Sequence, residues 1–292
     1  MSREPSTGIL CMAYGSPATE ADIAAYYTHI RGGRTPSPEA LAELTQRYRA
    51  IHGSPLSEIT RDQARALSER TGLPTFVGMK HAPPFIAGGA AEARRAGIER
   101  LVGLPLAPHY AGMSLGGYQR TLAEAWDRDL IFVPGFHAHP AFIGAVRSVL
   151  TEALAESKPE RLFFTAHSLP ARIIAEGDGY HNQLLESCRL VECEMQLPEW
   201  EFAFQSASHT GEPWLGPDLL EAVELSGARD VLVCPIGFVA DHLEVLYDLD
   251  VEAQAFAREK GISFRRTPSF NARPEFVDAL AQIVDDALAR AA

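Results

Sequence analysis

Short β-rich runs alternate with longer amphipathic stretches along the whole of this chain, and that alternation excludes most architectures. A strand, a helical pattern and another strand make a βαβ unit, and a succession of such units builds a parallel sheet covered by helices. Strands are expected at residues 9–13, 75–79, 101–106, 130–134, 161–166, 201–205, 231–235 and 263–266. Helices are expected over 38–49, 57–70, 87–96, 115–126, 140–156, 181–196, 217–225, 242–259 and 274–290. The strands fall into two sets of four, so right-handed crossovers predict an α/β protein of two Rossmann-like three-layer domains, each with a four-stranded parallel sheet. The first domain is expected over residues 1–136 plus the final helix, 271–292, and the second over 137–270. Ligands of such folds bind beyond the carboxyl ends of the strands. The segments leaving the strands are therefore where chemistry is expected, with the active site in a cleft between the domains.

Composition removes several classes of function. A chain of 292 residues, 46% hydrophobic and 22% charged, buries a sizeable core. Its formal net charge of −12 disfavours a nucleic-acid partner and an anionic lipid surface, both of which call for a basic face. Apolar runs are broken by Gly, Pro or charge well short of the ~18 residues that a membrane helix needs, and residues 1–7 are polar. The expected location is cytoplasmic, without membrane insertion. Cys11, Cys188, Cys193 and Cys234 show no CxxC spacing, so neither a disulfide framework nor an iron–sulfur cluster is expected.

Three strand exits carry distinctive chemistry. The first strand leads into Tyr14-Gly15-Ser16-Pro17, and the fifth into His167-Ser168-Leu169-Pro170. The seventh leads by a short loop into residues 239–252, which hold five carboxylates and no Lys or Arg. On a helix opened by Asp241, residues Glu244, Asp248 and Glu252 recur at four-residue steps along one face, where like charges repel. Two readings are open: the strip meets a divalent cation, which takes carboxylate oxygen and imidazole nitrogen, or Asp241 and Glu244 form a variant capping box. A second cluster has the opposite charge. Tyr26-Tyr27-Thr28-His29-Ile30-Arg31-Gly32-Gly33-Arg34 and Arg47-Tyr48-Arg49 mix guanidinium forks with flat rings, which suits a flat polyanion. Taken singly, Arg34, Arg49 and Arg61 also fit ordinary solvated helix faces.

The blocks MAYGSP, YYTHIRGGR, RYRAIHGSPL, MKHAPPFI, FTAHSLPARI, FQSASHTGEPWLGP and CPIGFVADHLEVLYDLDVE resemble, in the same order and over nearly the whole chain, those of the ferrochelatases. The similarity is greatest to the soluble coproporphyrin type. The resemblance implies the chelatase fold and insertion of ferrous iron into coproporphyrin III during heme biosynthesis, with no permanently bound cofactor. It implies His167 and Glu244 as the metal- and proton-handling pair, Tyr14 facing the macrocycle, and Arg31, Arg47, Tyr48, Ser54 and Tyr118 holding propionates. Asp248 and Glu252 would continue an acidic line for hydrated iron, and transient contact with neighbouring heme-pathway enzymes is a further expectation. The segment between Arg47 and Pro55 is one residue shorter than the usual pattern, which loosens the assignment of Ser54. The cysteine-rich extension and the apolar lip of some relatives are not found in the sequence.

These residue types suit the reaction. Metal insertion expels two pyrrole protons that are not lost unaided near neutral pH, and a neutral imidazole, with its reference pKa near ~6.5, can accept them. His167 is the favoured acceptor, with Glu244 close to iron, although either group can take either role. Protoporphyrin IX is the alternative substrate. Two other classes compete: a tetrapyrrole or metal carrier without turnover, and a serine hydrolase built on Gly112-Met113-Ser114-Leu115-Gly116 with His242 or His209. The hydrolase pattern lacks its context, because Ala107-Pro108-His109-Tyr110-Ala111 separates the strand from Gly112.

Overall fold

The computed structural model describes residues 6–207 and 211–291. Its elements in chain order are β1 (Thr7–Ala13), α1 (Ile23–Ile30), α2 (Pro38–Ala50), α3 (Leu56–Thr71), β2 (Thr75–Met79), α4 (Ile86–Arg95), β3 (Arg100–Pro105), α5 (Leu115–Ala125), β4 (Asp129–Phe132) and α6 (Pro140–Glu156). There follow β5 (Arg161–His167), α7 (Arg172–Ala175), α8 (Tyr180–Glu192), β6 (Trp200–Gln205), α9 (Leu219–Ser226), β7 (Asp230–Cys234), α10 (Leu243–Leu246), a π-helical turn (Asp248–Ala253), α11 (Gln254–Lys260), β8 (Ser263–Arg266) and α12 (Pro274–Ala291). The chain divides into two compact units, Met1–Phe136 with Asn271–Ala292, and His137–Phe270.

Each unit is built on one four-stranded parallel sheet. The first runs in the order β2-β1-β3-β4 and the second β6-β5-β7-β8. The central strands read as continuous apolar runs because helices bury both faces: Ile9 to Met12 in β1 and Leu162 to Phe164 in β5 have no exposed surface. In the first unit α12 lies against α3, held by Arg70 to Asp278 at 2.5 Å and by the Gln63 amide donating to the Asn271 carbonyl at 2.8 Å. In the second, Val245, Leu249, Ala253 and Ala257 of the segment after β7 pack with Val231 and Val233 of that strand in one apolar cluster.

In both sheets the chain order reverses between two neighbouring strands, β1 and β3 in one and β5 and β7 in the other. Loops leaving such a pair diverge to opposite sides and open a crevice at the carboxyl end of the sheet, the usual ligand position in open α/β folds. Tyr14 follows β1, His167 ends β5, and Glu244 follows β7.

Two expectations change. The single helix over 242–259 is three segments, because the Glu252 amide bonds to the Tyr247 carbonyl five residues back at 2.9 Å and opens a π turn. The four-residue face is thereby broken: Asp248 is buried, whereas Asp250 and Glu252 are exposed. Helix α1 was not expected at all. Its start is marked by Thr19 and Asp22, whose carboxylate accepts from the Thr19 amide at 2.9 Å and hydroxyl at 2.7 Å.

Candidate active site

The end of β5 fixes the orientation of one ring. His167 Nδ1 donates to the Ser168 carbonyl. Ser168 is itself pinned, its amide donating to the Gln205 carbonyl at 2.8 Å and its hydroxyl to the Leu215 carbonyl at 2.7 Å. The buried Tyr180 hydroxyl donates to the His167 carbonyl at 3.0 Å, and the Trp214 ring lies 6.3 Å from the imidazole, centroid to centroid. Nε2 is left as the reactive nitrogen. It sits 3.3 Å from Glu244 Oε1.

Glu244 reaches that place from the loop after β7. The loop crosses β5 closely at Gly237, where a Cβ would stand only 2.5 Å from the Ala166 Cβ, so no larger residue fits. Gln205 then holds the segment, its amide donating to the Glu244 carbonyl at 2.7 Å while its oxygen accepts from the Thr165 hydroxyl at 2.8 Å. The Glu244 carboxylate bridges two imidazoles, with His242 Nε2 3.4 Å from Oε2. His242 Nδ1 donates to the Ala240 carbonyl at 2.9 Å. The capping-box reading of Glu244 is therefore replaced, since both its oxygens face imidazoles and Asp241 instead accepts from the Ser269 hydroxyl at 2.6 Å.

These contacts set the charges. Burial alone would lower His167, but the Glu244 carboxylate outweighs it and raises the ring to about 9. Burial pushes Glu244 the other way, and His167 and His242 together hold it well below the usual carboxylate range. The resting pair is imidazolium and carboxylate. Asp248, behind Glu244, accepts from the Ser206 hydroxyl. The strip thus does have counter-charges, which come from distant sequence: His167 for Glu244, and Arg266 for Asp241 and Asp250. Among the described residues, no group of three or more His, Cys, Asp or Glu side chains is arranged to hold a metal ion.

The first unit gathers the flat and cationic side chains. Gly15, at φ +91°, turns the chain after Tyr14, and Tyr26 donates to its carbonyl at 3.0 Å. Tyr14 is 40% exposed and lies 4.5 Å, ring to ring, from His81. His81 and His29 bring their Nδ1 atoms to 3.0 Å, a contact that requires one to donate, and Phe85 lies 5.3 Å beyond His29. Burial and Lys80 push His81 down to about 4, so it is neutral at pH 7. Arg31 closes α1 over the Tyr27 ring at 5.7 Å. Arg47 bonds Glu43 at 2.9 Å, Tyr48 is buried edge-on to Tyr26, and the Ser54 hydroxyl accepts from the Leu56 amide at 3.4 Å. Tyr118 is buried in the core, with Lys80 Nζ 5.4 Å over its ring.

The ferrochelatase family model matches residues 6–288. The chain belongs to the ferrochelatase family. This ferrochelatase is 41% identical to a coproporphyrin III ferrochelatase of Anoxybacillus flavithermus, over 95% of each chain. It is 39% identical to that of Bacillus subtilis, over 99% of this chain and all of the relative. It is also 38% identical to a protein of Herpetosiphon aurantiacus named simply ferrochelatase, over 95% and 98% of the two. Among solved structures, SirB from Bacillus subtilis with Fe3+ aligns with a TM-score of 0.63 at 12% identity, over 98% and 97% of the two chains. CbiX aligns at 0.57 and 14%, over 96% and 98%, and both show the chelatase fold. The ferrochelatase is thus an enzyme whose substrates are ferrous iron and a porphyrin. Its Ser114 precedes α5 nine residues beyond the end of β3, which is no nucleophile elbow, and His209 lies outside the described residues. No described helix is long and apolar enough to cross a membrane.

Sequence reasoning missed Gln205 and Ser206, placed His29 only within the cationic and aromatic cluster, and gave His242 only a hydrolase role. His242 has an extended backbone, φ −159° and ψ −176°, so it shares a side with Glu244 two residues on, as in a strand. A helix through both would have separated them. The H-x-E spacing next to a strand exit is the signal that would have revealed the pair.

Proposed function

We propose that this ferrochelatase inserts ferrous iron into coproporphyrin III to release coproheme, with His167 as the pyrrole proton acceptor and Glu244 beside the iron. The single observation that carries the site assignment is the 3.3 Å contact of His167 Nε2 with Glu244 Oε1. The choice of porphyrin is supported by relatives of that name spanning nearly the whole chain. Arg31, Arg47, Tyr48, Ser54 and Tyr118 are the proposed partners for its propionates. Protoporphyrin IX remains the second reading, since a relative of similar identity is named only as a ferrochelatase.

The charge state of the pair orders the steps. At rest His167 already carries a proton, so it is not yet a base. Ferrous iron arriving at Glu244 would take over the role of counter-charge, and repulsion between iron and imidazolium would lower the pKa of the ring so that Nε2 gives its proton to solvent water. The neutral ring then accepts the two pyrrole protons in turn at the same nitrogen, passing the first to solvent water before it takes the second, while Nδ1 stays on the Ser168 carbonyl. His242, on the other carboxylate oxygen, receives protons passed along Glu244. Glu244 would be the protein group that meets iron, with the other positions left to water and ring nitrogens. Tyr14 faces the macrocycle, and Asp248 and Glu252 line the approach of hydrated iron. No permanently bound cofactor takes part, and the reaction is placed in the cytoplasm.

The test is an anaerobic assay with ferrous iron and each porphyrin, following the loss of free-base fluorescence. Faster loss with coproporphyrin III supports the assignment, and equal or faster loss with protoporphyrin IX overturns it.

A further inference from the structure

Arg266, the last residue of β8, spends its whole guanidinium on one network inside the second unit. Nε and Nη2 form a fork on Asp250 at 2.7 and 2.8 Å, and Nη2 also reaches Asp241 at 3.3 Å. Nη1 donates to the Thr267 carbonyl at 3.2 Å and to the Ser269 hydroxyl at 3.4 Å. Ser269 in turn donates to the same Asp241 oxygen at 2.6 Å. The arginine side chain is only 15% exposed, so these charge-assisted bonds are poorly screened.

The two aspartates bracket the segment that bears the site. Asp241 lies three residues before Glu244, and Asp250 lies inside the π turn, two residues after Asp248. A π turn is a rare local geometry that a neighbouring structure must hold. Arg266 holds it from β8 at Asp250, and holds the start of the segment at Asp241. The same contacts neutralise Asp241 and Asp250, whereas Glu244 faces His167 and His242 and Asp248 accepts from Ser206.

We propose that Arg266 is a positioning residue for iron capture: it clasps Asp241 and Asp250 so that the intervening turn presents Glu244 to His167 and Asp248 to Ser206. The inference rests on the proposed role of Glu244 toward iron. Its effect falls on the metal and not on the porphyrin.

The experiment compares wild type with R266K, R266Q, D250N and E244Q, measuring the KM for ferrous iron anaerobically and the porphyrin Kd by fluorescence, below each variant's melting temperature. R266Q is expected to raise the iron KM about 10–100-fold, the usual cost of losing a supporting partner of a metal ligand, and to leave the porphyrin Kd unchanged. R266K, which keeps the charge without the fork, should fall between wild type and R266Q. D250N, which frees only the π-turn arm, should move the iron KM in the same direction. A wild-type iron KM in R266Q, or parallel losses of iron and porphyrin binding, overturns the clasp; if R266Q does not fold, D250N decides by the same two readouts. Wild-type iron KM in E244Q would instead overturn the role of Glu244. A raised KM in E244Q with wild-type values in R266Q and D250N removes the clasp alone.

Discussion

His167 Nε2 and Glu244 Oε1 face each other at 3.3 Å from the exits of two adjacent strands, β5 and β7. Each partner changes what the other can do. Glu244 raises His167 from 6.5 to about 9, and His167 holds Glu244 below its ordinary 4.5. For His167 the stabilisation is complete below 6.5 and is lost as pH rises through about 9. For Glu244 it is complete above 4.5 and is lost as acid protonates the carboxylate. The pair therefore stabilises the fold fully only between those two ordinary values. Thermal melts across pH should show the difference between wild type and E244Q to be greatest in that window. A difference independent of pH would contradict the ion pair.

Below pH about 9 a metal must displace the His167 proton, so binding and proton release are linked. Apparent affinity should rise about tenfold per pH unit on the acid side. Anaerobic calorimetry with cobalt(II), in buffers of different ionisation enthalpy, should count one proton released per metal. Affinity that is flat with pH would contradict an imidazolium at rest.

Arg47 is tied to Glu43 at 2.9 Å, and the proposed propionate contact would replace that bond. R47Q and R31Q should weaken coproporphyrin III more than protoporphyrin IX, because coproporphyrin carries more carboxylates. Fluorescence titration checks this, and equal losses would contradict the propionate assignment.

Glu252 is exposed one turn beyond the buried Asp248. E252Q should slow the ferrous-dependent step and leave porphyrin binding unchanged. A wild-type dependence on ferrous concentration would remove Glu252 from the approach path.

Gly237 lets the β7 exit lie against β5, with Ala166 atoms 2.5 and 2.9 Å from where a Cβ would be. G237A should destabilise the protein by about 1–3 kcal/mol, the typical cost of overpacking, and displace Glu244. An unchanged melting temperature would contradict that tight crossing.

The strands were legible because their apolar runs are short and bounded, and the positions of Tyr14 and His167 follow from strand ends. What sequence did not reveal is non-local. Nothing near residues 239–252 indicates that Arg266 and His167 supply its counter-charges, or that a π turn interrupts the helix. Helix α1 ends just before the Gly32-Gly33 pair, and its aromatic run Tyr26-Tyr27 was read for ligand chemistry and not for helical periodicity. The burial of Tyr48 and Tyr118 likewise depends on neighbours that no periodicity reports.

The most direct test mixes preformed enzyme–coproporphyrin III with ferrous iron anaerobically and follows single-turnover insertion in wild type and H167A. The account predicts that H167A binds the porphyrin with near wild-type affinity and fails to metallate it. Substantial insertion by H167A would contradict His167 as the proton acceptor.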